Sequence, residues 1–128
     1  MIEQASWFLG CANMAASLVF QAITFHSSKL DVKMKDSLLR AVNVHQLSAL
    51  GFILLALNKN TKSYWNTTYF WLLTSATCLF PGVIYFQNLF NSGNKIWLSK
   101  FVPTGGMMHI AFWFLLASSF SSFNPNQK

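Results

Sequence analysis

The chain has 128 residues, of which 53% are hydrophobic and 9% charged, with a formal net charge of +6. A soluble domain carries about 25% charged residues, so this composition excludes an ordinary water-hydrated globule, and the length excludes two such domains. The excess charge lacks the basic helix face and aromatic platform of a nucleic-acid binder, and no nucleic-acid partner is expected.

Asp, Glu, Lys and Arg are absent from residues 4–28, 41–58, 63–94 and 101–127. Each window exceeds or approaches the roughly 20 apolar residues that a helix needs to cross the hydrocarbon core. The expected fold is therefore all-α: a single four-helix transmembrane bundle over residues 1–128, with spans near 5–25, 39–57, 69–90 and 103–121. The N-terminus, with Glu3 as its early charge, does not read as a signal peptide, which would open on a basic segment.

The first span carries Ser6, Gly10, Asn13, Ser17, Gln21 and Thr24 at spacings of three and four. They make one small and polar stripe for helix packing, with Phe8, Leu18, Phe20 and Ile23 left for lipid. In the second span Asn43, His45 and Gln46 are the polar candidates, and Asp36 and Ser37 are the expected caps at its start. The third span begins among Tyr64, Trp65, Tyr69 and Trp71, the aromatic signature of a membrane interface. Its own stripe is Thr74, Cys78, Pro81, Tyr85 and Asn88. Pro81 removes a backbone donor and should bend the helix, and Gly82 should admit a neighbour at the bend. The fourth span opens on Pro103, suited to a first helical turn, followed by Gly105 and Gly106 for close contact and then by His109.

Basic residues set the expected orientation. Lys29, Lys33, Lys35 and Arg40 flank the first connection, and Lys95 and Lys100 the third; Lys59, Lys62 and Lys128 lie on the other side. The bias places the first and third loops on the cytoplasmic or matrix side, with both termini opposite.

His26, His45 and His109 fall in one leaflet under that topology and form a candidate haem or metal set. The bland reading, that each imidazole bonds a neighbouring polar group, is preferred, because no pair has the i, i+4 spacing of a helical metal site. No metal or cofactor is expected. Cys11 and Cys78 read as small packing residues, and the sequon Asn66-Thr67-Thr68 as a chance match. Nucleophile elbows, phosphate loops and paired carboxylates are absent, so no catalytic residue is expected and the protein is not read as an enzyme.

Four blocks in order carry a resemblance. Residues 22–30 read AITFHSSKL, against an AFGAHGL-type block; residues 41–50 read AVNVHQLSAL, against AVQYQMYHALAL. Residues 79–85 read LFPGVIY, against LFSGSLY, and residues 102–113 read VPTGGMMHIAFW, against a TPIGG start running on to GW. Together they resemble the small four-helix membrane proteins of the domain of unknown function 423, the transmembrane protein 256-like family. The resemblance implies a four-helix membrane bundle in a bacterial or mitochondrial inner membrane, without an assigned activity. The first block keeps His26 but not the glycines.

The expectation is a non-catalytic accessory or assembly subunit of a larger inner-membrane complex, in the mitochondrial respiratory chain. Its expected partners are other integral membrane subunits and lipids, with no soluble small-molecule substrate. A small oligomeric transporter lined by Asn13, Gln21, Asn43, Gln46 and the histidines, or a His-ligated haem protein, are the alternatives.

Overall fold

The computed structural model describes residues 1–58, 63–90 and 96–121. Helix α1 spans Ile2–His26 and α2 spans Val32–Leu57. Helix α3, Ser63–Thr77, runs on through a π-turn at Cys78–Gly82, one α-turn α4 at Val83–Tyr85, and a second π-turn at Phe86–Phe90. A short α5, Ile96–Ser99, leads into α6, Val102–Ser121. Among the described residues there is no strand. Four helical stretches are long and apolar enough to cross a bilayer: Ile2–His26, Val32–Leu57, Tyr64–Leu89 and Trp97–Ser119. The protein is an integral membrane four-helix bundle.

Helix α2 starts earlier than its hydropathy suggests. Its N-cap is Asp31, whose carboxylate accepts from the Met34 N–H at 2.7 Å. Asp36 and Ser37, the expected caps, lie within the helix instead. Asp36 forms an ion pair with Arg40 one turn on, at 2.6 Å. The 26 residues of α2 reach about 39 Å at 1.5 Å per residue, so roughly 9 Å of it extends past a hydrocarbon core of about 30 Å. The polar first turns of Lys33, Lys35 and Asp36 account for that excess.

Pro81 marks the first departure from α geometry, as expected from its missing N–H. The backbone answers by widening to the π register across Cys78–Gly82 rather than by breaking. Gly82 is exposed, and a Cβ placed on it would meet only its own helix's Thr77 carbonyl, at 3.4 Å. No neighbour approaches there, contrary to expectation. The close approach belongs to Gly105, whose added Cβ would stand 2.7 Å from the Phe80 amide nitrogen and 2.8 Å from the Leu79 carbonyl carbon. The start of α6 thus lies directly on the widened backbone of the π-turn.

Helix α2 is the central element. It packs along α1, and reaches α3 and the π-turn on its other side. The core divides into two apolar layers. One gathers Phe52, Leu55, Tyr69, Leu73, Phe112 and Leu116. The other gathers Leu38, Ala41, Val42, Ile84 and Tyr85, with Phe20 against it. Between these layers α2 carries His45 and Ser48, both buried, so a polar belt crosses the middle of the bundle.

Candidate functional site: the mid-membrane polar belt

The belt begins on α1. The stripe read from the sequence does face α2: Ser6, Gly10, Ser17 and Thr24 are buried, and Asn13 and Gln21 half-buried. Phe8, Leu18 and Ile23 are exposed as lipid-facing residues, whereas Phe20 turns inward. A Cβ on Gly10 would stand 2.6 Å from Ile53 Cγ1 and 3.1 Å from the Ala49 carbonyl oxygen. That lack of side-chain bulk lets α1 and α2 approach closely enough for their polar groups to bond.

His45 lies between three helices. Its Nε2 is 2.6 Å from Asn13 Oδ1 on α1, and its Nδ1 is 3.3 Å from the Tyr85 hydroxyl on α4. Asn13 Nδ2 donates to the Leu9 carbonyl at 2.7 Å, which leaves Oδ1 as the acceptor. His45 therefore donates through Nε2–H, and with the ring neutral Nδ1 accepts from the Tyr85 hydroxyl. The result is a directed chain from Tyr85 through His45 and Asn13 to a backbone carbonyl. The ring of Phe20 stacks on Tyr85 at a centroid distance of 4.1 Å and an interplanar angle of 16°, an offset apolar lid over the phenol.

His109, on α6, has the opposite arrangement. Its Nδ1 lies 2.9 Å from the Gly105 carbonyl, one turn back, and must donate to it. Its Nε2 lies 2.6 Å from Ser48 Oγ on α2. That hydroxyl also lies 2.9 Å from the Val44 carbonyl; having a single proton, it gives it to the neutral ring at the shorter contact. The Ser48–His109 bond thus joins α2 to α6 within the belt, where the Phe52–Phe112 core layer also brings the two helices together.

Gln46 Nε2 reaches Gln21 Oε1 at 3.4 Å, a further link from α2 to α1. Asn43 does not belong to the interior. It is exposed on the outer face of α2, because it lies two residues before His45, about 200° around the helix. His26 is exposed at the end of α1 and joins neither His45 nor His109. Among the described residues no three His, Cys, Asp or Glu side chains converge to hold a metal ion. The candidate three-histidine set suggested by depth is not brought together: His45 and His109 each bond separate partners. Cys78 faces outward rather than into the third helix's stripe, and Cys11 is exposed too. In that stripe Thr74 and Asn88 are half-buried and satisfy themselves on the Phe70 and Ile84 carbonyls of their own helix. Gly106 makes only ordinary contact with Phe80, at 3.5 Å from an added Cβ.

Sequence reasoning missed several members of this network. Ser48 carries its own signal, one turn beyond His45 on the same face. Gly51 does not: an added Cβ there would meet Phe112 Cε1 at 2.8 Å and Leu73 Cδ2 at 2.9 Å, contacts across helices distant in sequence. At the other end of α2, Asn58 is buried and donates through Nδ2 to Ser119 Oγ at 3.1 Å, while Asn66 Nδ2 reaches the Asn58 carbonyl at 3.3 Å. The sequon asparagine is thus a buried packing residue in the folded protein.

An apolar groove of about 480 Å³ opens beside the belt, lined by Val44, Leu47, Phe80, Ile110, Trp113 and Phe114 among others, with His109 at its edge.

A family profile described as "Protein of unknown function (DUF423)" matches residues 20–106. The chain belongs to the DUF423 family. That match covers more than half of the sequence and includes the end of α1, α2, the third span and the opening of α6. His45, Ser48, Tyr85 and Gly105 therefore fall in the DUF423 region, whereas Asn13 and His109 lie just outside it. No curated protein and no solved structure matches the chain.

Proposed function

We propose that this DUF423 protein is a non-catalytic accessory or assembly subunit of a larger inner-membrane complex, with integral membrane subunits and lipids as its partners. One observation carries the reading: the polar side chains of the spans bond one another between helices. Asn13, His45 and Tyr85 tie α1, α2 and α4 together, and Ser48 with His109 ties α2 to α6. Groups engaged in this way hold a bundle in register. The charge-free windows within the spans hold no Asp or Glu, the residues on which intramembrane proton relays are commonly built; Glu3 and Asp36 lie at helix starts.

The outer surface supports the same reading. Trp7, Phe8, Trp71, Phe86 and Phe114 are exposed on the helix faces, a surface suited to lipid and to neighbouring helices. The inner membrane of mitochondria, and a respiratory-chain complex within it, is the setting proposed from the resemblance drawn above; a bacterial inner membrane is the alternative. In either case the first and third loops would lie on the matrix or cytoplasmic side.

The test is isolation of the tagged protein from its native membrane in mild detergent, followed by native electrophoresis and mass spectrometry. Co-migration with other membrane subunits at a fixed ratio is expected. Purification free of any other polypeptide would overturn the proposal.

A further inference from the structure

The exposed face of α2 has a regularity that the interior does not explain. Lys33, Asp36, Arg40, Asn43, Leu47, Leu50, Leu54 and Leu57 are all exposed, at alternating spacings of three and four. That is an unbroken heptad seam along the helix. Its first half is polar and its second half is leucine. Asn43 is the anomaly. Counting back from Leu57 it lies about 21 Å along the helix axis, inside a hydrocarbon core of about 30 Å. An exposed carboxamide at that depth has no water to bond and calls for a protein partner.

We propose that this face is a homodimer interface, in which α2 of two copies pack in parallel about a two-fold axis along the membrane normal. The seam is complementary to itself in three ways. A carboxamide both donates and accepts, so Asn43 satisfies a second Asn43 across the axis. The Asp36–Arg40 pair, 2.6 Å apart within one helix, offsets the like charges that meet across a parallel pair, because each Arg40 lies one turn from the second copy's Asp36 as well as from its own. Leu47, Leu50, Leu54 and Leu57 then meet their own copies. Leucine alone gives little preference for a partner over lipid; the asparagine supplies the preference and fixes the register. Beside the seam, Val44 and Leu47 form one wall of the groove of about 480 Å³ that continues onto α6, so the second copy has a recess to enter rather than a flat surface.

The inference does not rest on the subunit reading. A dimer purified free of other polypeptides would support the one and refute the other.

The test uses the full chain in native membranes, with Cys11→Ser and Cys78→Ser as background. Leu47→Cys, Leu50→Cys, Leu54→Cys and Leu57→Cys are oxidised and compared with Ile53→Cys and Ala56→Cys, which lie off the seam. Disulfide-linked dimer several-fold above the off-seam variants is expected at the four leucine positions. Asn43→Leu, at an exposed position that the monomer's packing does not use, should weaken self-association roughly 3- to 30-fold by energy transfer in vesicles, with Asn43→Gln recovering most of it. Asp36→Arg should weaken it too, and Asp36→Arg with Arg40→Asp restore it. The absence of dimer at every seam position, cross-linking to a different polypeptide instead, or an Asn43→Leu variant that associates unchanged would each overturn the proposal.

Discussion

At the scale of single residues, the hydrogen bonds assign opposite tautomers to the two buried histidines. Asn13 Oδ1 can only accept, so His45 holds its proton on Nε2; the Gly105 carbonyl can only accept, so His109 holds its proton on Nδ1. Nitrogen NMR of the ring-labelled His26→Gln variant in bilayers, which removes the exposed imidazole, should show one imidazole of each kind, and adding His45→Phe should remove the Nε2–H signal alone. The same bonds have an energetic consequence. Asn13→Ala and His45→Ala each leave a buried polar partner unmatched, at a cost of about 1–3 kcal/mol. Because the two share one bond, the double variant should fall short of the sum by about 0.6–1.7 kcal/mol. Unfolding in a detergent series measures all three. Strict additivity would show that Asn13 and His45 are neighbours without being partners. The sequence offered both residues as interior candidates, but not the pairing, since 32 positions separate them and no spacing rule connects residues on different helices.

At the scale of the elements, close packing depends on where one backbone meets another. Gly105 and Gly106 are adjacent and equivalent in a sequence reading, yet an added Cβ meets backbone at 2.7 Å in one case and an aromatic side chain at 3.5 Å in the other. Backbone cannot move aside as a flexible side-chain end can. Gly105→Ala should therefore destabilise the bundle by about 1–3 kcal/mol, with part of the loss coming from a displaced Gly105 carbonyl and a weakened bond to His109. Gly106→Ala should be neutral or stabilising by up to about 1 kcal/mol, since alanine is the better helix former. Thermal unfolding of the two variants side by side decides the matter, and equal effects would refute the assigned contact. The helices themselves were legible from the charge-free windows and from Pro81 and Pro103. The start of α2 was not, because Val32, Lys33, Met34 and Lys35 are too polar for a hydropathy window, although Asp31 caps them into the helix. The π register at Cys78–Gly82 was also hidden: a proline announces a lost hydrogen bond, and whether the chain kinks or widens depends on what packs against it, here Gly105.

For the whole molecule, the four spans were readable because a bilayer imposes one strong condition, and charge-free length meets it or does not. The outward seam on α2 was not read, because the same leucines suit a core as well as a surface; the buried set on the helix had to be known first. Orientation is expected to follow from charge rather than from packing, since an antiparallel bundle packs identically either way up. Lys29, Lys33, Lys35, Arg40, Lys95 and Lys100 oppose Lys59, Lys62 and Lys128, and the early start of α2 keeps Lys33 and Lys35 beyond the hydrocarbon, where such residues count toward topology. Replacing Lys29, Lys33, Lys35 and Arg40 by Gln should therefore abolish the bias and yield a mixed population, whereas replacing Lys59 and Lys62 should leave insertion uniform. Single reporter cysteines at Glu3 and Ser28, labelled with a membrane-impermeant maleimide in sealed, oriented vesicles, read the two sides. Uniform insertion after the four-residue replacement would mean that something other than loop charge, such as docking onto a partner already in the membrane, sets the orientation.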